Sequence, residues 1–256
     1  MRAVKLRLHQ FLSRAGVFAS KRDAKEAVWA GEITVAESVV KDIAFQFNPN
    51  TKPVHYKGRQ LHLPSDHRTF LLNKPVGVVC SRLNKHERSL GKVSVFELLR
   101  EGLSDRDFSR LVTVGRLDEF TTGLLLLTTD GHLVHRLASP EANIEKTYLV
   151  RTEHDVDPQA LKTLRQGVDI ELETNGDVEV YTTEAATVDR IKSNEFILSI
   201  SEGKKRQVRR MFASLGHSVV ALERVSIGSL SMDMFDLSYG EYVDLTDMNL
   251  TALVEG

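Results

Sequence analysis

The chain has a single cysteine, Cys80, so no internal disulfide can brace it and no thiolate cage can hold a metal; a reducing, cytoplasmic setting fits. Long apolar runs are missing too. The longest aliphatic block, Leu124 to Leu127, is strand-sized and far below the roughly 18 residues of a membrane span, so no span is expected. The first residues, Met1 to His9, carry basic side chains but no apolar segment of the kind that directs export, and export is not expected. The nine histidines are scattered. His132 and His135 stand at i, i+3 spacing without a third ligand, so no metal site is expected. Repeats of 20–50 residues and low-complexity tracts are also lacking. What is present is 256 residues, 41% hydrophobic and 27% charged, the balance of a folded chain of one or two domains.

The formal net charge of −1 conceals an asymmetry. Residues 1–64 hold 11 Lys and Arg against five Asp and Glu, a net of +6, and the rest of the chain carries −7. A basic module beside an acidic body is the electrostatic footprint of a docking domain for a polyanion. Within that module Leu8, Phe11, Leu12 and Ala15 form the apolar stripe of a short helix that stops at Gly16. Ser20-Lys21-Arg22-Asp23 opens a second helix with Ala24, Ala27 and Val28 facing inward, closed by Gly31. Lys21, Arg22 and Lys25 fall in its first turns, where free N–H groups and the helix dipole also favour phosphate. Short strands are expected at Ile33–Val35, Val39–Val40 and Val54–Tyr56, the last ending in a Lys57-Gly58 turn.

His62 to Asp66, with Pro64 and Ser65, reads as a linker, giving domains of residues 1–62 and 63–256. Beyond it the pattern predicts longer strands at Thr69–Leu72, Leu111–Val114, Leu124–Thr128, Thr147–Arg151 and Phe196–Ser201. Helices are expected near Val95–Arg100, His132–Ala138 and Pro158–Gln166. The order lacks strict βαβ alternation, so the class is α+β with a mixed, largely antiparallel sheet flanked by helices. The stretch from Ser229 has six acids and no Lys or Arg, and reads as a solvated C-terminal lobe.

Four segments could carry chemistry. Gly115-Arg116-Leu117-Asp118-Glu119-Phe120-Thr121-Thr122-Gly123 is a polar loop between apolar strands, where scaffolds present functional groups. Asp118 there is either a working carboxylate with Arg116 near it or the cap of a turn, with the two glycines as hinges. In Glu202 to Gly216, Val208, Met211, Phe212 and Leu215 form an apolar stripe. Arg206 and Arg210 project opposite it, free for phosphates, and Arg209 stands at its border, able to bring its guanidinium to an inward carboxylate. Tyr148, early in a strand, is either core or a platform for an extruded base. Lys74, in the turn Asn73-Lys74-Pro75-Val76-Gly77, either touches RNA or merely closes that turn.

Taken together, Asn73–Ser81, Gly115–Gly131, Glu145–Val150 and Glu202–Gly216 resemble the RsuA family of RNA pseudouridine synthases. Residues 6–61 look like the alpha-L, ribosomal-protein-S4-like RNA-binding domain that precedes that family's catalytic domain. The resemblance implies that uridine in ribosomal RNA is isomerised to pseudouridine, with no cofactor or metal. The N1–C1′ bond breaks, the uracil turns, and C5 bonds to C1′. It makes Asp118 the catalytic aspartate, Arg116 an RNA contact that holds the extruded nucleotide, and Tyr148 the aromatic on the flipped uracil. Arg209 becomes the basic partner of the aspartate and Val208 a pocket wall. Implied partners are ribosomal RNA or a precursor ribosomal particle, met by a monomer in the cytoplasm without a membrane.

Details around Thr121-Thr122-Gly123, His135–Pro140 and Lys146–Val150 resemble the small-subunit (16S) enzymes, whereas Arg206–Arg210 also resembles large-subunit (23S) relatives. Two departures from the family pattern stand out. Ala36-Glu37-Ser38 replaces the usual Asn-Gly hairpin turn, and Arg82–Ser94 is basic, a candidate RNA-contacting loop. The rival class is a non-catalytic RNA-binding assembly factor on the same scaffold, which has no need of a carboxylate among phosphate contacts.

Overall fold

The computed structural model of the chain describes residues 5–18, 20–49, 51–63, 67–174 and 176–255. Two compact units divide it, Met1–Asp66 and His67–Gly256. Of the stretch read as a linker, Pro64, Ser65 and Asp66 lie outside the described residues.

In the first unit, helix Leu8–Ala15 buries Leu8, Phe11 and Leu12 against Ala24, Ala27 and Val28 of helix Lys21–Trp29. The second helix starts at Ser20, whose hydroxyl accepts from the Asp23 N–H at 3.1 Å. A four-stranded antiparallel sheet closes the core, in the order Ser38–Val39, Ile33–Val35, Val54–Tyr56, Arg59–Leu61. The turn between its first two strands explains the cost of the missing Asn-Gly. Ala36 and Glu37 both adopt left-handed backbone, with φ of 48° and 67°. A two-residue hairpin of this kind needs positive φ at both centres, and each non-glycine residue there costs about 1 kcal/mol. Replacing the pair by Asn-Gly (Ala36→Asn, Glu37→Gly) should stabilise this unit by about 1–2 kcal/mol, read from its denaturant-unfolding transition.

The second unit is built on a nine-stranded sheet. Its main path runs Thr187–Lys192, Glu195–Ile200, Lys146–Thr152, Val219–Ile227, Thr122–Thr128, Thr69–Lys74, Tyr242–Asp244. Along that path every pair is antiparallel except Thr122–Thr128 with Val219–Ile227. The fold is thus α+β with a mixed, mostly antiparallel sheet, as the sequence pattern predicts. Both faces are apolar. Leu71, Leu124, Leu126 and Ile227 point to one core. The other face carries two packed groups. Phe70, Leu72, Leu125 and Leu127 lie in one. Val150, Leu198, Leu222 and the helix residues Val208, Met211 and Phe212 lie in the other.

The acidic C-terminal stretch is not a solvated lobe. Tyr242–Asp244 forms the edge of the sheet, paired with Thr69–Lys74, and Leu230, Leu245, Leu250 and Val254 are buried in the core. Asp233, Glu241, Asp244 and Asp247 stay exposed between these buried residues, and a charge count alone misses the apolar set. The hairpin Asp169–Thr174 with Asp177–Thr182 was likewise not expected from the sequence.

Candidate active site

Register brings four of the chemistry-bearing positions into one row across the sheet. Tyr148 pairs with Arg224, Arg224 with Gly123, and Gly123 with Lys74. Paired positions share a face, so the row lies on the side where the two apolar groups meet. Tyr148 packs against both groups. It is therefore neither plain core nor free surface: its half-buried ring fills the seam between them. A β-bulge between Thr147 and Tyr148 re-aims the strand at this point. Gly123 is required in the row. Its φ is +96°, and a Cβ there would stand 2.3 Å from the Arg224 carbonyl oxygen.

The loop between strands Val112–Val114 and Thr122–Thr128 holds Asp118. Leu117 before it is buried with Phe70, Leu72 and Leu125, and its N–H donates to the Cys80 sulfur at 3.4 Å. The loop's backbone is gripped by cations. The Lys74 ammonium donates to the carbonyls of Pro75 (3.0 Å), Glu119 (3.3 Å) and Thr121 (2.9 Å). Arg209 Nη2 donates to the Phe120 carbonyl at 2.8 Å; in the strand that follows the loop, Arg224 Nε donates to the Leu124 carbonyl at 2.8 Å. The Gly77 N–H adds a 2.8 Å bond to Glu119, and Thr121 closes a turn back onto the Asp118 carbonyl at 3.1 Å. The Glu119 carboxylate is spent on Lys92 at 3.1 Å. Among the described residues the Asp118 carboxylate has no such partner, and the residue is only partly buried.

Lys74, expected either to touch RNA or to close its turn, is turned inward. Its side chain is 0% exposed, and its three donors are all committed to carbonyls. Burial lowers its pKa from the ordinary lysine value, while the neighbouring Cys80, Glu119 and Asp118 work in the opposite direction. The pairing of Arg209 with Asp118 also takes a different form. No direct ion pair joins them, because the guanidinium is divided between the Phe120 and Val219 carbonyls, each at 2.8 Å. The coupling is through space. Burial pulls the Arg209 pKa down, the Asp118 charge holds it up, and Arg206 pulls it down again.

Arg210, expected to project free for phosphates, has a partner within the fold. Its guanidinium is not wholly free: Nη1 donates to the Glu171 carbonyl and ties helix Gln207–Ser214 to the hairpin. Val208 is 4% exposed and packs inside, beneath this helix. Arg116 and Arg206 are exposed on the surface of this unit. In the first unit Lys21, Arg22 and Lys25 are exposed along one helix, with Arg22 paired to Glu26 at 2.8 Å. Arg82, counted among the basic loop residues, instead stacks over Phe96 and Phe108 and donates to the Phe108 and Leu111 carbonyls. No group of three His, Cys, Asp or Glu side chains among the described residues is disposed to hold a metal.

Two contributors were missed in the sequence. Arg224 is 4% exposed, and its Nη2 has no hydrogen-bond partner among the described residues. The available signal was an arginine inside an otherwise half-apolar strand, Val219–Ile227, which needs a reason to be buried. Lys92 is the second, and only the three-dimensional contact with Glu119 reveals it.

The site therefore offers one uncommitted carboxylate, an aromatic in a seam, and buried cations that fix the loop from behind. Preorganised charges of this kind act on a reacting centre without reorganising. Residues 68–214 match the family described as RNA pseudouridylate synthase, and residues 6–52 match the S4 domain. The ribosomal small subunit pseudouridine synthase A of Vibrio cholerae is 35% identical over 248 residues, covering 97% of this chain and 99% of that protein. Its Escherichia coli K12 counterpart is also 35% identical, over 97% of this chain and 100% of its own. A crystal structure of a pseudouridylate synthase superposes with a TM-score of 0.61 at 31% identity, covering 97% of this chain and 100% of that one. With an S4 domain in front and this loop, seam and helix behind it, the chain belongs to the RNA pseudouridylate synthase family.

Proposed function

We propose that the protein converts a uridine of small-subunit ribosomal RNA to pseudouridine, with Asp118 as the acting carboxylate. The observation that carries this reading is that Asp118, unlike its loop neighbour Glu119, has no ion-pair partner, on a loop whose backbone is fixed by Lys74, Gly77 and Arg209. The small-subunit substrate is supported by relatives of that name matching over nearly the whole chain.

The chemistry follows from the parts. A uridine leaves its stack at a cost of a few kcal/mol, and Arg116 holds its phosphate while the base meets Tyr148. Cleavage of the N1–C1′ bond builds positive charge on the ribose, which the Asp118 carboxylate stabilises or captures. Two routes share that start: attack at C1′, or removal of the 2′ proton to give a glycal. The uracil then turns, C5 bonds to C1′, the C5 proton departs, and N1 ends protonated, so the net change is an isomerisation. Arg206 adds phosphate contacts from the helix end. Residues 1–62 form the docking domain, with Lys21, Arg22 and Lys25 toward phosphates.

The test is a map of pseudouridine in small-subunit rRNA taken from cells lacking the gene, before and after treatment with the purified protein. A single new position is expected; an unchanged map overturns the proposal. Removal of residues 1–62 should weaken RNA binding and flatten its dependence on salt, because each lost phosphate contact releases about one counterion fewer. An unaltered salt slope would limit the +6 charge to solubility.

A further inference from the structure

Phe120 stands two residues beyond Asp118 with 63% of its surface exposed. An exposed ring on a loose loop tip needs no explanation, but this backbone is not loose. The carbonyls on either side of it and its own accept bonds from Lys74, Gly77 and Arg209, at 2.8 to 3.3 Å. The loop therefore pays in advance for holding an apolar ring out in solvent. Val76, the residue before Gly77, is 61% exposed. Cationic groups stand on the same loop and beside it: Arg116 is exposed, and Lys92 is bound to Glu119.

A fixed aromatic with cationic side chains on and beside its loop fits one partner chemistry, an unpaired nucleobase on its sugar–phosphate strand. A protein partner would need a broader apolar surface than one ring and a valine. Extruding one nucleotide also leaves its neighbour with an uncovered face. We propose that Phe120 stacks on the base adjacent to the extruded uridine, covering the face that the uridine vacates. This rests on the reading of Asp118 as the acting carboxylate, since it places the extruded ribose beside that residue. The ring's rigid mounting means that little conformational entropy is lost on stacking.

Steady-state kinetics on unmodified small-subunit rRNA, free or in a precursor particle, provide the first readout. Phe120→Ala should raise KM about ten- to a hundredfold and change kcat far less, as expected for loss of one base–aromatic stack. Phe120→Trp should restore the wild-type KM. Trp29 is the sole natural tryptophan, so Phe120→Trp in a Trp29→Phe background supplies the second readout: emission from the introduced indole should be quenched as the RNA is titrated. A wild-type KM in Phe120→Ala, or an indole unaffected by bound RNA, overturns the proposal. If wild-type protein forms no pseudouridine yet the indole is quenched, the catalytic reading fails and takes with it the placement beside an extruded uridine, leaving only a contact between residue 120 and RNA. If Asp118→Asn is inactive while Phe120→Ala keeps its KM, only the stacking fails.

Discussion

Asp118→Asn should lower pseudouridine formation by about a thousandfold or more while leaving the melting temperature unchanged. The size follows from losing the group that meets the reacting carbon or its neighbouring proton. The unchanged stability follows from the structure, in which the Asp118 side chain makes no ion pair or hydrogen bond that folding depends on among the described residues. Surface substitutions of that type stay within about 0.5 kcal/mol. Asparagine is the informative replacement because it serves a turn as well as aspartate does. Were Asp118 only a turn cap, the variant would keep its activity. Modification at the wild-type level, measured on rRNA from a strain lacking the gene, would therefore restore the structural reading of this loop. Arg209 supplies a parallel check: with the Asp118 charge gone, its guanidinium loses the interaction that opposes its burial, yet its bonds to the Phe120 and Val219 carbonyls remain.

Much of this was legible before the fold was known, for physical reasons that differ by residue. Helix Lys21–Trp29 and strand Thr122–Thr128 follow from periodicity and capping, which are local properties. Asp118 and Arg209 were legible as residue types at motif spacing, together with the resemblance to a family. What was not legible is where their hydrogen bonds go. Arg210 and Arg206 are both exposed candidates on a helical projection, but only the position of the hairpin Asp169–Thr174 decides that Arg210 spends its guanidinium on Glu171. Arg82 looks like a phosphate contact by composition and is an aromatic-stacked strut in the fold. Charge is a one-dimensional property of the chain, whereas the partner of a charge is set by register and loop placement. Lys74 shows this most fully: its strand alternation puts it on the same face as Phe70 and Leu72, and hence inside.

Lys74→Met should therefore behave as a defect in the catalytic loop and not as a defect in RNA binding. Methionine fills a similar volume but donates nothing, so the Pro75, Glu119 and Thr121 carbonyls lose the ammonium. A buried carbonyl without a partner costs about 1–3 kcal/mol, and removal of a desolvated charge returns part of that sum. A net loss of about 2–4 kcal/mol is expected in thermal or denaturant unfolding. Gly77 and Arg209 still hold Glu119 and Phe120, so the loop persists with Asp118 less well placed. Misplacement by about 1 Å can cost roughly a hundredfold in rate, and kcat should fall by about ten- to a hundredfold. RNA affinity and the slope of its salt dependence should match wild type, because an ammonium with no exposed surface neutralises no phosphate. A variant of normal stability whose salt slope drops by about one would put Lys74 back on the RNA, and would require the loop to open on binding.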